Sequence, residues 1–342
     1  MKILILSNNL NPGGAERQLA YLAECLCKSH TVEFLLLEEK GALVPYVKQL
    51  NIAINTIKKE ASIWKQSRYL RKYIKKGEYT HVISFLPYCN LLNEIAGLPN
   101  KNWKVITGAR SADPSFVKNF KKRIYYYAHI LADVVISNSQ KNKDDILKVN
   151  KLIQKDKIKI LYNIFRLKEI NTIYEPFKNE KINVVVAANY RPVKNIMGLL
   201  EALKISSEEV RNKLHIDWYG LKIDSTYKDA EEYVKANNLS NTIELHDSTD
   251  NVLGVYNQAD AVGLFSHFEG LPNAICEALI IGKPVICTPV SDIPLILRNT
   301  DNIVCASSSK EDIKVALERL VKCNKETILE IGTKNKIYYT EL

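Results

Sequence analysis

Ile3-Leu4-Ile5-Leu6-Ser7-Asn8-Asn9-Leu10-Asn11-Pro12-Gly13-Gly14-Ala15-Glu16-Arg17 opens the chain with a short apolar run, a polar turn and paired glycines. The amphipathic stretch Ala15 to Lys28 follows, so the segment reads as strand, loop and helix, the βα unit of a parallel sheet. The unit recurs. Val32 to Leu37, Ala53 to Ile57, His81 to Phe85, Val105 to Thr107 and Val134 to Ser137 read as further strands, with helical patterns at Ser62 to Lys76, Asn90 to Ala96 and Phe116 to Leu131. The polar, basic stretch Lys151 to Lys181 lacks a strand-helix repeat and reads as a connection. Beyond it the alternation restarts. Strands are expected at Asn183 to Ala187, His215 to Tyr219, Ile243 to His246, Ala261 to Phe265, Val285 to Cys287 and Ile303 to Cys305. Helices are expected at Ile196 to Ser206, Thr226 to Asn237, Asp250 to Gln258, Asn273 to Ile281 and Glu311 to Lys322. The pattern predicts an α/β protein of two Rossmann-like domains, residues 1–165 and 166–342, with parallel sheets facing each other across a cleft.

The 342 residues suit two cores better than one. With 46% hydrophobic and 25% charged residues the chain is globular, neither disordered nor collagen-like. Its net charge of +10 is unevenly placed. Residues 1–165 hold 27 Lys plus Arg against 13 Asp plus Glu, a net +14, while the remainder holds 21 against 25, a net −4. Such asymmetry suits nucleic acid, an anionic membrane surface or an anionic substrate, and composition does not choose among them. The seven cysteines are scattered with no C-x-x-C spacing, which signals neither a disulfide framework nor a zinc site. The apolar N-terminal run is far shorter than a signal peptide's, and no run reaches the length that spans a bilayer, so a cytoplasmic location is expected.

In open parallel sheets ligands bind beyond the carboxyl ends of strands, so the loops there carry the information. Gly13 and Gly14 let backbone approach a ligand at a helix N-terminus, where N–H groups suit a phosphate; a plain tight turn is the alternative. G-x-G-x-x-G is absent. In Ala188-Asn189-Tyr190-Arg191-Pro192-Val193-Lys194-Asn195, Arg191 and Lys194 suit an anion needing a bidentate partner and a point charge, or are two solvated cations. The most informative loop is Ser266-His267-Phe268-Glu269-Gly270-Leu271-Pro272-Asn273, with Glu277 eight residues after Glu269. Asn273 is the expected N-cap. Carboxylates accept from paired sugar hydroxyls, and N–H groups at a helix start suit phosphate oxygens; an ordinary loop glutamate and a helical glutamate are the bland alternative.

Taken together, Gly13-Gly14-Ala15-Glu16-Arg17, Arg191-Pro192-Val193-Lys194-Asn195 and Glu269-Gly270-Leu271-Pro272-Asn273 with Glu277 resemble the motifs of the family 4 retaining glycosyltransferases of GT-B fold, bacterial surface-polysaccharide type. The resemblance runs from Met1 to the helix near Leu320. It implies a nucleotide-diphosphate sugar donor, UDP- or GDP-linked, on the second domain. Glu277 would hold the ribose, Arg191 and Lys194 the diphosphate, with Asn189 beside them. Glu269, as the catalytic residue, would hold the transferred sugar together with backbone N–H groups of the segment Gly270-Leu271-Pro272-Asn273. Gly13 and Gly14 would line the opposite wall. Neither metal nor other cofactor is expected, and transfer with retention is pictured as front-face attack without an enzymic nucleophile.

Departures accompany the match. Family members commonly carry Gly-Arg five residues before the lysine, where this chain has Ala188-Asn189, so Arg191 is the expected substitute. The histidine common after the first domain's fifth strand is missing from Thr107-Gly108-Ala109-Arg110-Ser111-Ala112-Asp113. Arg110 reads either as an acceptor-phosphate ligand or as a structural partner of Asp113. The C-terminal helix that braces such proteins, here Lys325 to Tyr339, is expected to be short. Lysines and arginines interleave with aromatics at Lys58-Lys59, Trp64-Lys65, Arg68-Tyr69, Arg71-Lys72-Tyr73 and Lys75-Lys76, and again at Lys118, Phe120-Lys121-Lys122-Arg123 and Tyr125-Tyr126-Tyr127. This pattern suits peripheral docking on an anionic membrane, with a glycan or lipid-diphosphate-linked acceptor near Arg110 and Arg123. A solvated helix face is the alternative, and no motif supports nucleic acid. Two other functions share the fold: a nucleotide-sugar 2-epimerase, and a non-catalytic nucleotide-binding subunit.

Overall fold

The computed structural model describes residues 1–11, 13–57, 60, 62–110, 113–165, 176–177 and 180–340. The chain divides into two compact units, Met1–Arg166 and Leu167–Leu342. The first contains a seven-stranded sheet of β1 (Lys2–Ser7), β2 (Thr31–Leu36), β3 (Ala53–Thr56), β4 (His81–Ser84), β5 (Lys104–Ala109), β6 (Val134–Ser137) and β7 (Ile158–Ile160). Its strand order is β3-β2-β1-β4-β5-β6-β7, parallel throughout. The second contains β8 (Ile182–Ala187), β9 (Leu214–Tyr219), β10 (Ile243–His246), β11 (Ala261–Leu264), β12 (Val285–Cys287) and β13 (Ile303–Val304), in the order β10-β9-β8-β11-β12-β13, also parallel.

The apolar runs form strands because both faces of each central strand are buried. In the first unit Leu4, Leu6, Leu35 and Val82 pack to one side of the sheet, and Ile3, Ile5, Phe34 and Ile83 to the other. The second unit repeats this with Val184, Val186, Ile216 and Trp218 on one side and Val185, Val262 and Leu264 on the other. In both sheets the order reverses beside the first strand of the unit, between β1 and β4 and between β8 and β11. That reversal opens a crevice at the carboxyl ends of those strands.

Three local expectations change. The connecting stretch contains β7, which pairs with β6 through Val135↔Ile158 and Ser137↔Ile160. Three residues with one exposed lysine at their centre are too short for a periodicity signal, and the strand forms because β6 offers a free edge. The expected helix Phe116 to Leu131 is two helices, Ser115–Lys118 and Phe120–Ala128, separated at Asn119, whose backbone is extended and whose side chain accepts from Lys121 N–H. Asn273 is the first residue of its helix, and Pro272 occupies the N-cap position with no side-chain cap. The C-terminal helix Lys325–Thr340 packs on its own unit, where Asn335 Nδ2 donates to Lys283 O at 2.9 Å.

Candidate functional site

In the second unit the loops after β8 and β11 meet. Asn195 ends the first loop in the left-handed region, at φ 60° and ψ 38°, just before the helix Ile196–Ile205. A short polar side chain tolerates that conformation, and here it also donates from Nδ2 to Phe265 O at 3.1 Å and Ser308 O at 3.0 Å. A Cβ on Gly198 would stand 2.3 Å from Asn195 Oδ1, so the glycine makes room for this amide. From the other loop, His267 N–H donates to Val193 O at 2.9 Å. His267 also bonds Ser308 Oγ through Nδ1 at 3.0 Å. Beneath the β8 loop lie the fully buried Tyr190 and Trp218. Tyr190 Oη donates to Trp218 O and His246 O at 2.9 Å each, and Trp218 Nε1 to Ala188 O at 2.7 Å.

This framework brings Lys194 and Glu269 together. Lys194 Nζ lies 2.5 Å from Glu269 Oε1, and Ser266 Oγ donates to the same oxygen at 2.7 Å. Both side chains remain partly accessible, 24% for Lys194 and 16% for Glu269, so a ligand can reach a pair that is already polarised. Gly270 is held through its carbonyl by Ser291 Oγ, and the helix Asn273–Ile280 begins there with no capping side chain. The first N–H groups of a helix so placed attract anions. Glu277 is half-buried further along the same helix.

Two proposed donor ligands are placed differently. Arg191 is exposed at the start of the short turn Pro192–Lys194, and its charge makes a minor contribution to holding Asp224 below its ordinary range, chiefly the work of the Thr226 hydrogen bonds. Asn189 Oδ1 accepts from Leu221 N–H at 3.2 Å, which ties the β8 loop to the end of β9. Ser266, Ser308 and Asn195 position the site; Ser308 lies in no motif, while Ser266 and Asn195, at the ends of the glutamate and lysine segments, carried no expected role there.

In the first unit Gly13 is the N-cap of the helix Gly14–Leu26. A Cβ on Gly13 would lie 2.3 Å from Glu16 Oε2, so the glycine gives space to a carboxylate folded over the helix start. Burial raises the Glu16 pKa. Arg110 Nη1 donates to Asn163 Oδ1 at 2.8 Å, and its guanidinium carbon lies 4.0 Å from the centre of the Phe85 ring. Burial pushes this guanidinium down to about 10. Asp113 instead accepts from Ser115 N–H at 2.8 Å and lies 3.5 Å from Lys122 Nζ, so Arg110 is not its partner. Arg110 borders a cavity of about 130 Å³ with Phe85, Asn90, Phe116, Tyr126 and His129. His129 is buried and bonded to Glu94 at 2.6 Å, a pair invisible in the sequence because its members lie 35 residues apart. Arg123 Nε donates to Val117 O at 2.7 Å, spanning the helix break. Ser111, Ala112, Lys58 and Lys59 lie outside the described residues.

Residues 12–169 match the family model described as Glycosyltransferase Family 4, and residues 168–336 the model described as Glycosyl transferases group 1. A Campylobacter jejuni protein described as GalNAc-alpha-(1->4)-GalNAc-alpha-(1->3)-diNAcBac-PP-undecaprenol alpha-1,4-N-acetyl-D-galactosaminyltransferase is 24% identical over 290 residues, 82% of this chain and 77% of that protein. Anabaena Alr3699/HepE in complex with UDP and glucose shares the fold at a TM-score of 0.82 and 16% identity, over 100% of this chain and 95% of that one. A glycosyltransferase from Rickettsia africae does so at 0.79 and 16%, over 99% and 93%. Two parallel Rossmann-like sheets and two family models that together take in residues 12–336 make this chain a glycosyltransferase of the GT-B type.

Proposed function

We propose that the protein transfers a sugar, with retention of configuration, from a UDP- or GDP-linked donor to a glycan or lipid-diphosphate-linked glycan during cell-surface polysaccharide assembly. The observation that carries this reading is the Lys194–Glu269 pair at 2.5 Å, made by two loops that meet at the reversal point of the second sheet. A diphosphate placed there would meet Lys194 and the start of the helix Asn273–Ile280, with Arg191 at the head of the same turn as Lys194. Fixed cations and helix-end N–H groups stabilise the charge that develops on the leaving phosphate without a metal. Glu269 then turns to the hydroxyls of the transferred sugar, with Ser266 holding its carboxylate, and Glu277 accepts from the ribose. The C. jejuni relative's described acceptor is a diphosphate-linked undecaprenol glycan, which supports a lipid-linked acceptor here.

Calorimetry with UDP, GDP and their sugars, followed by donor hydrolysis with wild type and Glu269→Ala, tests the proposal. Nucleotide binding with hydrolysis lost in the variant is expected. Binding without turnover in either protein points to a non-catalytic subunit, and conversion of the donor to its 2-epimer, nucleotide-linked or released, to an epimerase.

A further inference from the structure

We propose that the outer face of β9 and β10 is a site for a first-row divalent cation of the zinc type, separate from the donor loops. Strand β9 buries Leu214, Ile216 and Trp218 in the core, so the alternating residues His215, Asp217 and Tyr219 turn to the other face. Strand β10 is the edge of the sheet, and its register sets Glu244 beside Asp217 and His246 beside Tyr219. Two i, i+2 pairs from distant parts of the chain therefore share one face.

His215 Nε2 lies 3.3 Å from Asp217 Oδ1. That is the separation of two ligands on a tetrahedral Zn²⁺, whose bonds to N and O are about 2.0–2.2 Å long. One ligand atom each from His215, Asp217 and Glu244 falls within 4.8 Å of the others, the one such group among the described residues. The Glu244 side chain is 63% exposed, its Oε1 3.9 Å from His246 Nδ1, a loose contact from which it can swing the remaining distance. His246 Nε2 lies 2.7 Å from Asp217 Oδ1, too close for both atoms to bind one ion. It is better suited to orient the carboxylate from outside, as partners of ligating carboxylates do, while its ring stacks on Tyr219 at 4.4 Å. Asn183, the β8 neighbour of His215, has a buried Oδ1 without a hydrogen-bond partner.

One imidazole and two carboxylates form a mixed N/O set. It favours Zn²⁺ or Co²⁺ over Mg²⁺, which prefers oxygen and retains its water. Bound metal would join the edge strand to β9 through side chains, beyond the ladder that now holds it. The consequence is a metal-dependent gain in stability of the second unit.

The test uses the reduced, chelator-treated full chain, titrated with Co²⁺ and then Zn²⁺. One equivalent of Co²⁺ is expected, with visible d–d absorption, no thiolate-to-cobalt charge-transfer band and displacement by Zn²⁺. Zn²⁺ should also raise Tm. The double substitution His215→Ala with Glu244→Gln should weaken binding at least tenfold and abolish the metal-induced rise, while its metal-free Tm matches wild type because both side chains are partly exposed. Absence of stoichiometric binding, a thiolate band, or affinity unchanged in the double variant overturns the site. Asp217→Asn, tested in parallel, loses the rise if the site is real and keeps it otherwise.

Discussion

Lys194 and Glu269 neutralise each other within hydrogen-bond distance, so removing either leaves a partly buried charge unpaired. Arg191 is exposed, and its charge makes only a minor contribution at Asp224. Their substitutions should therefore differ in kind. Lys194→Ala and Arg191→Ala are each expected to weaken diphosphate binding by about 1.5–3 kcal/mol, the range for a hydrogen bond to a charged group. Only Lys194→Ala should also lower kcat, because it releases Glu269. Calorimetry with nucleoside diphosphates and steady-state kinetics check this, and unchanged affinity in Arg191→Ala would assign the phosphate contact to other groups. At this scale the sequence displayed residue types and spacing. It did not display that Lys194 pairs with a glutamate 75 residues away, or that Asn189 Oδ1 accepts from Leu221 N–H.

The helix Ile196–Ile205 starts from Asn195, and this one side chain joins the β8 loop, the end of β11 and the segment at Ser308. Asn195→Ala should destabilise by about 2–4 kcal/mol, combining the loss of one buried and one part-buried hydrogen bond with a left-handed backbone that alanine tolerates less well than asparagine. Asn195→Gly loses the same bonds but accepts the backbone, and should be about 1 kcal/mol less damaging. Urea unfolding measures both, and a glycine variant as unstable as the alanine one would remove the backbone part of the argument. Long periodic elements were legible in advance because burial of one stripe or of both strand faces imposes a period. β7 and the break at Asn119 were not, since three residues carry no period and a capping asparagine inside an amphipathic run resembles a solvated helix position.

Across the whole chain the net +14 of residues 1–165 acquires a geometry. The helix Ile63–Lys76 buries Gln66, Ser67, Leu70 and Ile74 and exposes Trp64, Lys65, Arg68, Tyr69 and Lys72. On the helix Phe120–Ala128, Phe120, Ile124 and Tyr127 form an exposed apolar stripe, with Phe120 80% accessible. No helix among the described residues is long and apolar enough to cross a membrane. Basic residues beside exposed aromatics suit a bilayer surface, where each cation contributes about 1 kcal/mol. Sedimentation with anionic and neutral vesicles at low salt should favour the anionic ones, and Phe120→Ser with Ile124→Ser should reduce binding to both. Equal binding to the two vesicle types would remove the electrostatic contribution. The sequence alone determined the two parallel α/β sheets, their order along the chain and the loops that carry the motifs, because hydrophobic periodicity and turn chemistry act over a few residues. Only the tertiary structure decided which side chains meet: Lys194 with Glu269, Glu94 with His129, and His215 and Asp217 with Glu244. Sheet order and register bring these partners together across tens of residues, and neither is written in local spacing.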